Sequence, residues 1–142
     1  MRRTYNILLD DERTPSDVFY YTRKEEYKNL IWEIVKSYDE FVNLFSHKYI
    51  YGELPSIISF DHDLVNEHYL MGAKSMFKHF DENIVKTPTG WHTLVWLINF
   101  YSTNDMEMPI IMFHTKNPAG EKNMKFVLEE YYKKKEEDKW KI

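Results

Sequence analysis

Short apolar runs alternate along this chain with stretches in which apolar side chains recur every three or four residues. Runs of the first kind predict buried strands, and stretches of the second predict amphipathic helices. Tyr5–Leu9 is aromatic and branched, and it stops in Asp10-Asp11-Glu12. It is the expected first strand. Arg13-Thr14-Pro15-Ser16 is expected neither to continue that strand nor to open a helix smoothly. Residues 17–29 are ambiguous: Val18–Tyr21 fits a short strand, and Thr22–Lys28 fits a polar helix. Leu30–Val35 is the better second strand. Ser37 with Glu40 three residues on makes a capping-box pattern ahead of Phe41, Leu44 and Phe45. Gly52 and Pro55 bracket the exit from that helix, and Ser56–Phe60 is the expected third strand.

Leu64–Lys86 fits no simple element, although Tyr69–Phe80 has helical character through Met76, Phe77 and Phe80. A connection this long beside a strand end suits either a lid or an ordinary helical insertion. Thr87-Pro88-Thr89-Gly90 opens a helix with Trp91, Leu94, Val95 and Ile98 on one face. Pro109–Phe113 is the fourth strand and runs into His114-Thr115-Lys116. Asn117 and Pro118 then suit the N-cap and first turn of a last helix. Its apolar stripe is Met124, Val127, Leu128 and Tyr131, and Lys133–Lys141 is a mixed charge run expected to be solvated.

Composition narrows the classes. At 142 residues, residues 1–142 are expected to form one domain, long enough for a real core. The content, 43% hydrophobic and 17% aromatic, is that of a folded chain. There is no cysteine, which excludes disulfides and thiolate metal sites and fits a reducing cytoplasm. The N-terminal apolar stretch is too short for a signal peptide, and no run reaches the ~18 residues of a membrane span. A net charge of −4 argues against duplex DNA as a partner. It leaves room for a small phosphate compound or an RNA end. Oligomeric state is left open.

The chemistry gathers at strand ends. In a parallel sheet ordered 2-1-3-4, strands 1, 3 and 4 would bring Asp10-Asp11, Asp61-His62-Asp63 and His114-Thr115-Lys116 to one edge, where ligands of α/β sheets bind. Carboxylates meeting there would repel each other unless a cation lay between them, and Mg2+ is the hard ion that oxygen ligands favour. The helix starts at Thr89-Gly90 and Asn117-Pro118 open on the same edge and suit an anion. The expected fold is therefore a small doubly wound, flavodoxin-like α/β sheet of about four mostly parallel strands flanked by helices.

The motifs LLDDERTP, SFDHDL, Thr-Gly before an apolar helix, and FHTKNPAGEKNM resemble the cyclic-phosphate-processing receiver-like domains, relatives of response-regulator receivers. Residues 17–29 and 64–86 stand out as insertions against that pattern. The resemblance implies that Asp10 and Asp11 hold Mg2+ (or Mn2+), and that Asp61 matches the receiver phosphoacceptor and also touches the metal. It implies that His62, Asp63, His114 and Asn117 surround the substrate phosphate, and that Arg13 pairs with a phosphate oxygen. Thr89 and Lys116 complete the expected substrate-binding set. Receivers keep a fifth strand ending in lysine, and here the chain after strand 4 is one helix. Lys116, at the end of strand 4, is a poor substitute.

Three functions fit. The first is a Mg2+-dependent phosphoesterase that opens a cyclic nucleotide, a 2′,3′-cyclic RNA end or an ADP-ribose-type cyclic phosphate. Asp61 and His114 would be its catalytic residues, with His114 as general acid or base. The second is a receiver phosphorylated on Asp61. The third is a module that binds a nucleotide without turnover. Asp61 is accordingly ligand, nucleophile or phosphoacceptor.

Overall fold

The computed structural model describes residues 1–141. Four strands, β1 (Arg2–Leu9), β2 (Glu33–Val35), β3 (Glu53–Phe60) and β4 (Ile110–Phe113), form one sheet in the order β2-β1-β3-β4. Every pairing is parallel. Between them run α1 (Pro15–Thr22), α2 (Glu25–Asn29), α3 (Tyr38–Ile50), α4 (Asn66–Lys74), α5 (Gly90–Thr103) and α6 (Pro118–Asp138). This is the expected receiver-like α/β sheet.

Side chains alternate between the faces of a strand, and the two faces divide the core. Tyr5, Ile7, Leu9, Ile58 and Phe60 face α3, α5 and α6, joining Phe41, Phe45, Leu94, Leu97, Tyr101 and Met124 in the main core. Leu8 faces the other way and packs with Val18, Tyr27 and Trp32 from the α1–β2 region. The Tyr27 and Trp32 rings stack there at 5.4 Å.

Several local expectations need correction. Thr14 does open a helix smoothly. It N-caps α1 through a capping box with Asp17, and Pro15 takes the first turn, where its missing N–H is harmless. Val18–Tyr21 is therefore helix, not strand. The second strand shrinks to three residues, leaving Leu30 and Ile31 exposed before it. The third strand begins earlier, at Glu53, and contains Pro55. Proline is tolerated because β4 pairs with β3 only from Ile57 onward, and β1 has a register shift beside it. Ser37 caps α3 by accepting from the Glu40 N–H at 3.1 Å, without the reciprocal half of a capping box. Within 64–86, helix runs only from Asn66 to Lys74. It stops because Met76 and Phe77 both turn left-handed, with φ of 55° and 59°. Such a conformation costs a bulky residue roughly 1–2 kcal/mol.

Two contacts place the functional edge. The register aligns Leu9 with Val35 and Phe60, and Phe60 with Phe113. The next residues, Asp10, Asp61 and His114, thus emerge in one row. α5 reaches that row because position 90 is glycine: the Gly90 N–H donates to the His62 carbonyl at 2.9 Å, and a Cβ would lie 1.9 Å from the Asp61 carbonyl oxygen. The obstacle is backbone, which cannot rotate away. Gly90→Ala is expected to destabilise the fold by about 3 kcal/mol, read from urea unfolding.

Candidate functional site

The row at the sheet edge is buried and tightly bonded. Asp10 is only 1% exposed, Asp61 5% and His114 2%. Asp10 Oδ1 accepts the backbone N–H groups of Glu12 at 2.9 Å and Arg13 at 2.8 Å. Its Oδ2 lies 3.0 Å from His114 Nε2. Burial works to raise the Asp10 pKa, but His114 and the two N–H groups outweigh it and hold the carboxyl below its usual value. Asp61 moves the opposite way. Burial and the neighbouring Asp10 charge push its carboxyl up, against smaller help from His114 and Arg13. Arg13 spans the two acids, its Nη1 3.6 Å from Asp10 and 3.7 Å from Asp61.

Above this row lies a cavity of about 390 Å3. Asp10, Asp11, Arg13, Asp61, Asp63, Lys116 and Asn117 line it, so most of the expected residues meet in one place. Burial first, then Glu12, Asp10 and Asp61, push the Asp11 carboxyl up to about 6. Lys116 Nζ sits 4.4 Å from the centre of the Tyr21 ring, and the Tyr21 hydroxyl donates to the His114 carbonyl.

Three expected residues fall outside the cavity lining: His62, Thr89 and His114. His62 is wholly buried beneath the edge. Its Nδ1 donates to Asp63 at 2.7 Å and its Nε2 to Glu82 at 2.8 Å. Burial alone would lower its pKa, but the two carboxylates raise it to about 9, so the ring is a buried cation. Thr89 N-caps α5 and donates its hydroxyl to Glu82 at 2.9 Å. Asn123 of α6 donates to Glu82 at 2.7 Å. His62 and Thr89 therefore hold the 75–89 segment to the domain from outside the cavity lining. Asn117 joins both regions: it caps α6 through the Gly120 N–H at 3.1 Å and donates to Asp63 at 3.0 Å.

His114 is likewise placed behind the site. The Asp10 carboxylate only accepts, so Nε2 donates to it. Nδ1 lies 2.7 Å from the Ser59 hydroxyl, which lies 2.6 Å from the Tyr27 hydroxyl. Donation from Tyr27 to Ser59 to His114 to Asp10 satisfies every group in that buried chain. The histidine thus orients Asp10 and leaves neither nitrogen directed at the cavity. His114, expected as the general acid or base, thus has both ring nitrogens engaged with Ser59 and Asp10.

Residues 5–130 match the model of the cyclic-phosphate processing receiver domain. The chain belongs to that family. No curated protein and no solved structure matches it.

Receiver domains typically bind Mg2+ through acidic residues, and this receiver domain has a donor set that fits. Asp10 and Asp61 each offer a carboxylate oxygen to the ion, and these lie within 4.8 Å of each other and of a His114 ring nitrogen, which is itself engaged in hydrogen bonding. Asp11 stands outside that tight group but lines the same cavity. The raised Asp61 carboxyl marks negative charge that the protein leaves only partly neutralised. Carboxylate oxygens suit Mg2+ or Mn2+, and a histidine bonded to a ligating carboxylate is a common support for such a centre.

Glu82, Asn123, Tyr27 and Ser59 were not expected from the sequence. Ser59 carries a signal, being a hydroxyl inside an apolar strand that has to find a buried partner. Glu82 carries none, because it lies in an irregular stretch and meets His62 only through the fold.

Two outcomes check this electrostatic reading. Asp61→Asn removes a penalised charge, so at neutral pH it is expected to raise the melting temperature without metal. In the wild type, Mg2+ at a hundred times its Kd adds about 2.7 kcal/mol, and Asp61→Asn loses that gain. The His62 pKa is raised from 6.5 to about 9, so its stabilisation is complete below about pH 6.5 and is lost as pH rises through 9. Urea unfolding is expected to show a loss of order 3 kcal/mol across that window, and His62→Gln is expected to abolish the dependence.

Proposed function

We propose that the cavity is a metal-assisted phosphoesterase site that opens a cyclic phosphate to a linear phosphomonoester. One observation carries this reading: three carboxylates, Asp10, Asp11 and Asp61, share a single small cavity with Arg13 and Lys116. Such a place holds a cation and an anion together, as phosphoryl chemistry requires. The family's link to cyclic-phosphate processing agrees with it.

Mg2+ or Mn2+ held by Asp10 and Asp61 would neutralise phosphate oxygens as charge builds on them. Arg13 leans across both acids and is placed to take a phosphate oxygen once that charge is met. Lys116 and Asn117 supply further N–H donors at the cavity wall. Asp11, like Glu12 and Asp63, lines the cavity outside the Asp10–Asp61–His114 group; its raised carboxyl suits it to accept the proton of the attacking water. Water oxygen bonds to phosphorus, the ring P–O bond breaks, and the departing oxygen takes a proton from Lys116 or solvent. His114 works through Asp10 as a positioning residue, with Ser59 and Tyr27 fixing its ring. The ligand is a small phosphate compound or an RNA end.

Phosphorus NMR of purified protein with a panel of cyclic phosphates tests this. Mg2+ or Mn2+ is expected to yield a phosphomonoester, and chelation is expected to stop it. Asp61→Asn and Arg13→Ala are each expected to lower the rate by about 100-fold or more. If no cyclic phosphate is opened or bound with either metal, the reading fails.

A further inference from the structure

Beside its charged residues the cavity has an apolar wall made of Val65, Tyr69 and Phe77. Phosphate chemistry has no use for that wall. Tyr69 stands on α4 with 55% of its surface exposed, and its ring centre is 5.8 Å from that of Phe77. Phe77 is held at this place against the preference of its backbone. Met76 and Phe77 are consecutive left-handed residues. The Phe77 N–H closes onto the Gly72 carbonyl at 2.8 Å, and its ring occupies the space beside Gly72, 2.8 Å from where a Cβ would stand. A strained turn and a glycine thus deliver an aromatic ring to a cavity wall, not to the core. Strain of that kind concentrates where a ligand is gripped.

We infer that Tyr69 and Phe77 form a stacking wall for a nucleobase, so that the ligand is a nucleoside bearing the ring phosphate and not a bare sugar phosphate. This inference rests on the phosphoesterase reading and extends it to the other end of the ligand. A cavity of about 390 Å3 is within the range for small-molecule sites. The division of its lining also fits: carboxylates, Arg13, Lys116 and Asn117 form the polar part, and aromatic rings form the apolar part. Every base presents a π face, so such a wall selects for a base without reading which one.

Titration calorimetry of the full chain with Mg2+ tests the inference using two probes, adenosine 2′,3′-cyclic phosphate and the base-free methyl riboside 2,3-cyclic phosphate. The base-bearing probe is expected to bind about tenfold tighter or better. Tyr69→Ala is expected to erase that preference while leaving the base-free probe unchanged, and Tyr69→Trp is expected to keep it. Tyr69 is exposed, so these variants retain the fold, which a melting curve checks. A tetraribonucleotide with the same cyclic end separates a free nucleotide from an RNA terminus, and either one stacks its base on the wall. Equal binding of the two probes, or equal weakening of both by Tyr69→Ala, overturns the inference. Arg13→Ala is the control for the phosphate end. Equal binding that Arg13→Ala abolishes removes the stacking wall alone, and failure of both probes to bind removes the phosphoesterase reading with it.

Discussion

Asp10 and Asp61 leave neighbouring parallel strands in the same register row, and both carboxylates end up almost entirely out of water. Two negative charges so placed repel each other strongly, because little solvent is present to screen them. The surrounding structure answers that repulsion. Backbone N–H groups and His114 take up the Asp10 oxygens, and Arg13 reaches across to both acids. What remains unbalanced falls on Asp61, whose carboxyl is held above its ordinary range. A cation placed between the two carboxylates would relieve that imbalance.

The charged residues divide into two groups with different work. One is open: Asp10, Asp11, Asp61, Arg13 and Lys116 around the cavity. The other is closed: the His62 cation clamped between Asp63 and Glu82, with Thr89 and Asn123 completing the Glu82 shell. The closed group ties the irregular 75–89 segment to β3, α5 and α6. It thereby steadies the turn that presents Phe77. Asp63 and Asn117 belong to both groups, so the anchoring of that segment and the shape of the cavity are mechanically linked.

The strand ends were legible because a buried parallel strand must be apolar and must stop where polar residues begin. The acid pair, Asp61 and the His114 segment therefore announced themselves, as did the caps at Ser37 and Asn117 and the helix start at Thr89-Gly90. The misread stretches were those where a local rule had two outcomes. Val18–Tyr21 is as apolar as a strand, but Thr14 and Pro15 had already committed the chain to a helix. Pro55 suggested a break, yet β3 accommodates it where β4 is not yet paired and the register with β1 shifts.

The chain's own pattern settles the class of sheet, the strands that carry the chemistry and the kinds of residue gathered at their ends. Those follow from periodicity and from the need to keep charge out of the core. It does not settle which of two histidines works where. His62 and His114 both follow strands and both looked like phosphate neighbours. Packing gave His62 two carboxylates, one of them from a segment 20 residues away, and made it a structural cation. Packing gave His114 a serine behind it and Asp10 in front, and made it a support. A buried imidazole takes its role from the groups that reach its two nitrogens, and those groups arrive from distant parts of the chain. The acid clusters at the strand ends are thus a property of sequence, and the division of labour around them is a property of the fold.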